Sequence, residues 1–143
     1  MGKTALLDYA AERGEGMTVV RAIGVEYEVE LQFSGLLELV RPLLEHLAEI
    51  PPQQADALKS ALGIAESQPY DRFTICAATL SLIAAAAEAN PLLILVDDAH
   101  WIDLATDDAL LFSAKRLVAD SVAILLAVRE GGERTFNAPA LEQ

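Results

Sequence analysis

Leu92-Leu93-Ile94-Leu95-Val96-Asp97-Asp98-Ala99-His100-Trp101-Ile102-Asp103 is the stretch that decides the fold. Five apolar residues stop abruptly at two carboxylates. An apolar run without alternation suits a strand buried on both faces of a parallel sheet. Acids at the C-terminal end of such a strand lie where open α/β sheets bind ligands. A buried strand followed by an acidic turn is the plain alternative. Working outward, Asn90-Pro91 closes a long apolar helix over 70–89, and Asp103 predicts the cap of a helix over 104–118. Residues 17–23 and 122–128 read as two further strands, the latter without a charge. Strands alternating with helices give an α/β fold with a parallel sheet in a single domain.

The remaining punctuation fits this frame. Residues 3–13 read as a first helix, ended by Gly14 and Gly16. Residues 24–32, with Glu26, Glu28 and Glu30, read as an exposed acidic loop. Ser34 is the expected cap of a helix over 35–49 that kinks or breaks at Pro42. Pro51-Pro52 opens a short helix over 53–62, ended by Gly63.

Two motifs carry chemistry. Asp97-Asp98 after the apolar strand is a Walker B arrangement, in which the first acid holds Mg²⁺, usually through water, and the second can polarise the attacking water. At the other end, Gly2-Lys3-Thr4 runs into a helix and matches the last three residues of a phosphate loop, G-x-x-x-x-G-K-[ST]. Backbone N–H groups there hold phosphate oxygens, Lys3 reaches the β/γ-phosphates, and the Thr4 hydroxyl ligates Mg²⁺. Only Met1 precedes Gly2, so the reading is of a three-layer P-loop nucleotidase fold cut inside its loop, with its first and last core strands missing.

Composition narrows the classes. The chain has 143 residues, the size of one domain. Hydrophobic residues make up 53%, with a mean hydropathy of +0.32, which calls for a core of largely buried elements. A net charge of −12 argues against binding nucleic acid directly or docking on anionic membranes. The lone Cys76 excludes an internal disulfide and reads as a buried thiol, fitting a cytoplasmic, reducing compartment. No signal peptide is evident, and the apolar stretch 75–87 is short for a bilayer span.

The chain resembles the ATPase domain of large LuxR-type, MalT-like transcriptional regulators, signal-transduction (STAND) ATPases related to AAA+ proteins. The resemblance rests on Gly2-Lys3-Thr4-Ala5-Leu6-Leu7, on Phe33-Ser34-Gly35-Leu36 with Pro42 following, on Leu95-Val96-Asp97-Asp98-Ala99-His100-Trp101-Ile102-Asp103, and on Ala127-Val128-Arg129-Glu130. It implies a sheet ordered 5-1-4-3-2, ATP and Mg²⁺ as cofactors, and ATP-dependent switching of a bacterial-type regulator. By matching position it makes Gly2, Lys3 and Thr4 the phosphate residues and Asp97 the Mg²⁺ carboxylate beside Thr4. Asp98 becomes the water-polarising acid, and Arg129 the γ-phosphate sensor. The rest of the loop, the helical lid and the helix-turn-helix have no counterpart in these 143 residues. The expected entity is therefore a partial ATPase domain with impaired nucleotide binding. In the implied strand order, strand 122–128 also presents an open apolar edge for self-association.

Two alternatives stand beside this reading. Asp97, Asp98, His100 and Asp103, with Asp107 and Asp108, could form the metal cluster of a hydrolase. The chain could also be a non-enzymatic protein-interaction module that kept the fold and lost the nucleotide.

Overall fold

The computed structural model describes residues 16–28, 31–64, 70–117 and 120–128. Gly2, Lys3, Thr4, the expected helix over 3–13 and Arg129 lie outside the described residues. Three strands, β1 (Thr18–Ile23), β2 (Leu92–Asp97) and β3 (Val122–Leu126), form one parallel sheet in the order β1-β2-β3. Thr18 pairs with Leu92 and Leu92 with Val122. The α/β class and the central place of 92–97 are as the apolar runs predict. The outer strands begin or end one or two residues inside their expected limits, and residues 26–28 of the acidic loop form a 3₁₀ turn.

Every residue of β2 is buried, which accounts for its lack of alternation. Its two faces meet different surroundings. Val20, Ala22, Leu92, Ile94, Val96, Val122 and Ile124 join one large core with every described α-helix. Leu93, Leu95 and Ala127, with Met17, Val19, Ala123 and Leu125 beside them, form a smaller cluster on the other face. Among the described residues the helices thus lie on one side of the sheet.

The helices are α1 (Ser34–Val40), α2 (Pro52–Ala61), α3 (Arg72–Ala89) and α4 (Leu104–Arg116). The predicted break at Pro42 is real: α1 ends at Val40, and Arg41–Glu49 continues as a 3₁₀ helix. Pro42 has no N–H to give the α-helical ladder. His46 is mostly covered and contacts Glu49 at 3.0 Å. Proline opens α2, and Gly63, at φ +74, closes it in a Schellman-type turn with Ile64 N–H donating to Lys59.

Asp71 caps α3 by accepting from Thr74 N–H at 2.7 Å. This contact, with the Thr74 side chain first, holds the Asp71 carboxyl below its ordinary range. α3 has 18 residues, begins two residues inside the expected 70–89, and is long and apolar enough to cross a membrane by length and composition alone. Here Ile75, Cys76, Ala78, Leu82, Ile83, Ala86 and Ala87 lie in the core. Thr79, fully buried, donates its hydroxyl to the Ile75 carbonyl at 2.9 Å. Cys76 is a buried free thiol, as expected, and burial pushes its pKa up.

Candidate functional site at the C-terminal end of the sheet

The C-terminal end of β2 is a backbone latch. Gly24, next after β1, donates to the Asp97 carbonyl at 2.8 Å. Ala99 N–H donates to the Ala127 carbonyl at 2.8 Å, and Ala127 N–H to Val96 at 2.9 Å. The Asp97–Ala99 corner is therefore clasped from both neighbouring strands. Gly24 is required by space: a Cβ there would collide with the Asp98 carbonyl oxygen and crowd the Trp101 and Ile102 backbone. Asp98 turns the chain out of the strand in the left-handed region, at φ 49 and ψ 49. Only Gly, Asn and Asp enter this region routinely, so the second acid also suits the turn.

Asp97 sits on the face of the sheet opposite the helices and is 7% exposed. Its Oδ1 accepts from Asp98 N–H at 2.9 Å. Its Oδ2 faces Nη2 of Arg21 at 3.5 Å, across the β1–β2 pairing. Asp98 is half-buried at the corner. His100 and Trp101 follow in a short 3₁₀ turn, with ring centroids 4.9 Å apart. The oxygen-rich corner fits Mg²⁺, a hard cation that takes carboxylate and water ligands. One Asp97 oxygen is pinned by the backbone, and the other already faces a positive group.

Asp103 does something the sequence pattern does not indicate. It caps α4 as predicted, accepting from Thr106 N–H at 3.0 Å and from the Thr106 hydroxyl at 2.7 Å. It also caps α1 from a distance. Phe33 N–H donates to it at 2.6 Å, Gly35 N–H at 3.0 Å, and the Ser34 hydroxyl at 3.3 Å. Thr106 completes the pattern by accepting from Leu36 N–H at 2.8 Å. Ser34 is therefore not the cap of this helix. It is the first helical residue, and Phe33 before it is left-handed, with no side-chain cap of its own. The orphan amides of α1 are served by a carboxylate that is 2% exposed.

The metal-hydrolase constellation does not assemble. Asp103 is taken up by the two caps, and Asp108 pairs with Arg72 at 2.9 Å. Among the described residues no group of three or more His, Cys, Asp or Glu side chains is placed to hold a metal. A cavity of about 240 Å³ lies elsewhere, lined by Gln32, Phe33, Ala57, Ser60, Ala61, Tyr70 and Ile75. It presents no carboxylate, imidazole or thiol, and so offers little for acid–base work.

The sequence pattern singled out Asp97 and Asp98, and did not single out Arg21, Gly24 or Thr106. Arg21 had one visible signal, as the only charge in the strand 17–23. Residues 1–126 match the sequence model of a family described as an AAA ATPase domain. No curated protein and no solved structure showed a match.

Proposed function

The chain belongs to the AAA ATPase domain family, and from that premise we propose that it is the ATP-binding switch region of a LuxR-type, MalT-like transcriptional regulator of the STAND class. The observation that carries the nucleotide reading is the Asp97-Asp98 corner, clasped by both neighbouring strands at the C-terminal end of the sheet. The finer assignment to that regulator class rests on the Asp-Asp-Ala-His-Trp-Ile-Asp segment.

Each residue has a role in this proposal. Gly2, Lys3 and Thr4 bind phosphate. Thr4 and Asp97 hold Mg²⁺, which when bound stabilises charge on the transferring phosphoryl group. Asp98, aimed by its left-handed turn, orients and polarises the attacking water. Arg129 senses the γ-phosphate. The support for that role is the Ala99–Ala127 hydrogen bond, which ties the chain two residues before Arg129 to the residue after Asp98. A cytoplasmic location accords with the lone buried thiol. The charge of −12 accords with DNA recognition lying outside these residues.

Gly2, Lys3 and Thr4 are the phosphate-loop residues of this proposal, and weak binding and slow turnover of ATP are its expected behaviour. The test is calorimetry with Mg²⁺·ATP on the parent, Lys3→Ala and Asp97→Asn. Weak binding lost in both variants is expected. Micromolar binding lost in both keeps the site and removes the impairment. Binding that neither variant alters removes the nucleotide reading.

A further inference from the structure

We propose that Arg21 is the built-in counter-ion of Asp97 and competes with the divalent cation for its Oδ2, so that loading the site requires Arg21 to let go. This rests on the nucleotide reading above. Asp97 is a nearly buried carboxylate, and an uncompensated buried charge is costly. Among the described residues, compensation comes from two directions. The Asp98 amide holds Oδ1, and the Arg21 guanidinium faces Oδ2.

The register explains why Arg21 is the residue that reaches. Ile23 is the direct partner of Asp97, and Arg21 is paired with Leu95, so the arginine is the diagonal neighbour on the same face. Diagonal positions lie within reach of long side chains. The residues flanking Arg21, Val20 and Ala22, point into the helical core, and a shift of one register position would turn Arg21 into it.

The geometry is that of a holding contact. At 3.5 Å the pair is longer than a well-formed hydrogen bond, and the Arg21 side chain is 32% exposed. A Mg²⁺ ion held by this carboxylate, usually through water, would need Oδ2 as an acceptor and could not share it with an arginine on equal terms. Two cations on one oxygen also repel each other. Arg21 thus keeps Asp97 aimed and neutralised before loading, and sets a threshold on cation affinity.

Trp101 provides the readout. It is the only tryptophan, four positions beyond Asp97, and paramagnetic Mn²⁺ quenches a nearby indole. Quenching is titrated with Mn²⁺ alone and with Mn²⁺ plus ATP, on the parent, Arg21→Gln, Arg21→Lys, Asp97→Asn and Arg21→Gln/Asp97→Asn. Arg21→Gln is expected to bind Mn²⁺ about tenfold tighter, because a repelling charge is gone. Arg21→Lys, which keeps the charge and loses the fork, is expected to tighten binding about threefold. The gain must vanish in the double variant.

A parent-like or weaker Mn²⁺ affinity in Arg21→Gln overturns the proposal, as does a gain that survives Asp97→Asn. If circular dichroism shows Arg21→Gln unfolded, Arg21→Lys decides, and a parent-like affinity in it overturns the proposal. Loss of Mn²⁺·ATP binding in Asp97→Asn with no effect of either Arg21 change removes this proposal and keeps the nucleotide reading. Mn²⁺·ATP binding indifferent to Asp97→Asn removes both.

Discussion

Asp103 is one carboxylate serving two helix ends, and its loss would be felt at both. Asp103→Ala leaves the amides of Phe33, Gly35 and Thr106 without an acceptor in a buried site. Unsatisfied buried donors cost about 1–3 kcal/mol each, so a loss of about 3–5 kcal/mol is expected by urea denaturation. Asp103→Asn keeps one acceptor oxygen and should fall between. Ser113 offers the opposite case. It is fully buried in α4, and its hydroxyl has no hydrogen-bond partner among the described residues. Ser113→Ala removes that hydroxyl and improves helix propensity, so the urea midpoint should rise, by about 1 kcal/mol in stability. Asp71 gives a pH signature. Its carboxyl is held low by Thr74, so its contribution is present above the unfolded carboxylate pKa and is lost as pH falls through the lower folded value. Asp71→Asn can still cap the helix, so the stability difference from the parent should shrink at acid pH, below about pH 4. A difference that grows on acidification would contradict the lowered pKa.

At the level of elements, glycines in two places separate backbone crowding from side-chain crowding. An added Cβ at Gly24 meets the rigid Asp98–Ile102 backbone, whereas at Gly35 its nearest neighbour is the movable tip of Ile102. Gly24→Ala should therefore lower the melting temperature clearly, with a cost of about 1–3 kcal/mol, and Gly35→Ala much less. Equal melting temperatures would show that the latch at the end of β2 is looser than its hydrogen bonds indicate. The same contrast explains what was legible in the sequence. β2 and β3 announce themselves because apolar runs end at Asp97 or begin after polar residues, and α3 because its apolar run is closed by Asn90-Pro91. These are local signals. The cap of α1 was misassigned to Ser34 because its real acceptor lies 70 positions away from Phe33. Arg21 went unnoticed for the same reason, being 76 positions from Asp97 and joined to it only by strand register. Pro42 signalled the end of an α-helix but not that the chain would continue as 3₁₀.

For the molecule as a whole, β3 pairs with β2 alone among the described residues. Its Val-Ala-Ile-Leu-Leu sequence has no charge or proline to discourage another strand. We propose self-association through it, slowed by the charge of −12 and promoted by salt, which screens that charge. Sedimentation at low and high salt should show association in the parent and less in Leu125→Lys. A monomer in both salts would remove the proposal. The pairing pattern also bears on the order in which the sheet is built. Leu92 meets Val122 across a much shorter stretch of chain than separates Thr18 from Leu92. Each doubling of a closed loop adds about 0.6 kcal/mol of entropic cost, and the longer loop must also carry α1 to α3 into place. The β2–α4–β3 unit should thus assemble early and β1 dock late, so that under native conditions the amides of β1 exchange with deuterium through smaller openings than those of β2. Arg21 rides on that late-docking strand, so the charge set against Asp97 arrives only when the sheet is finished.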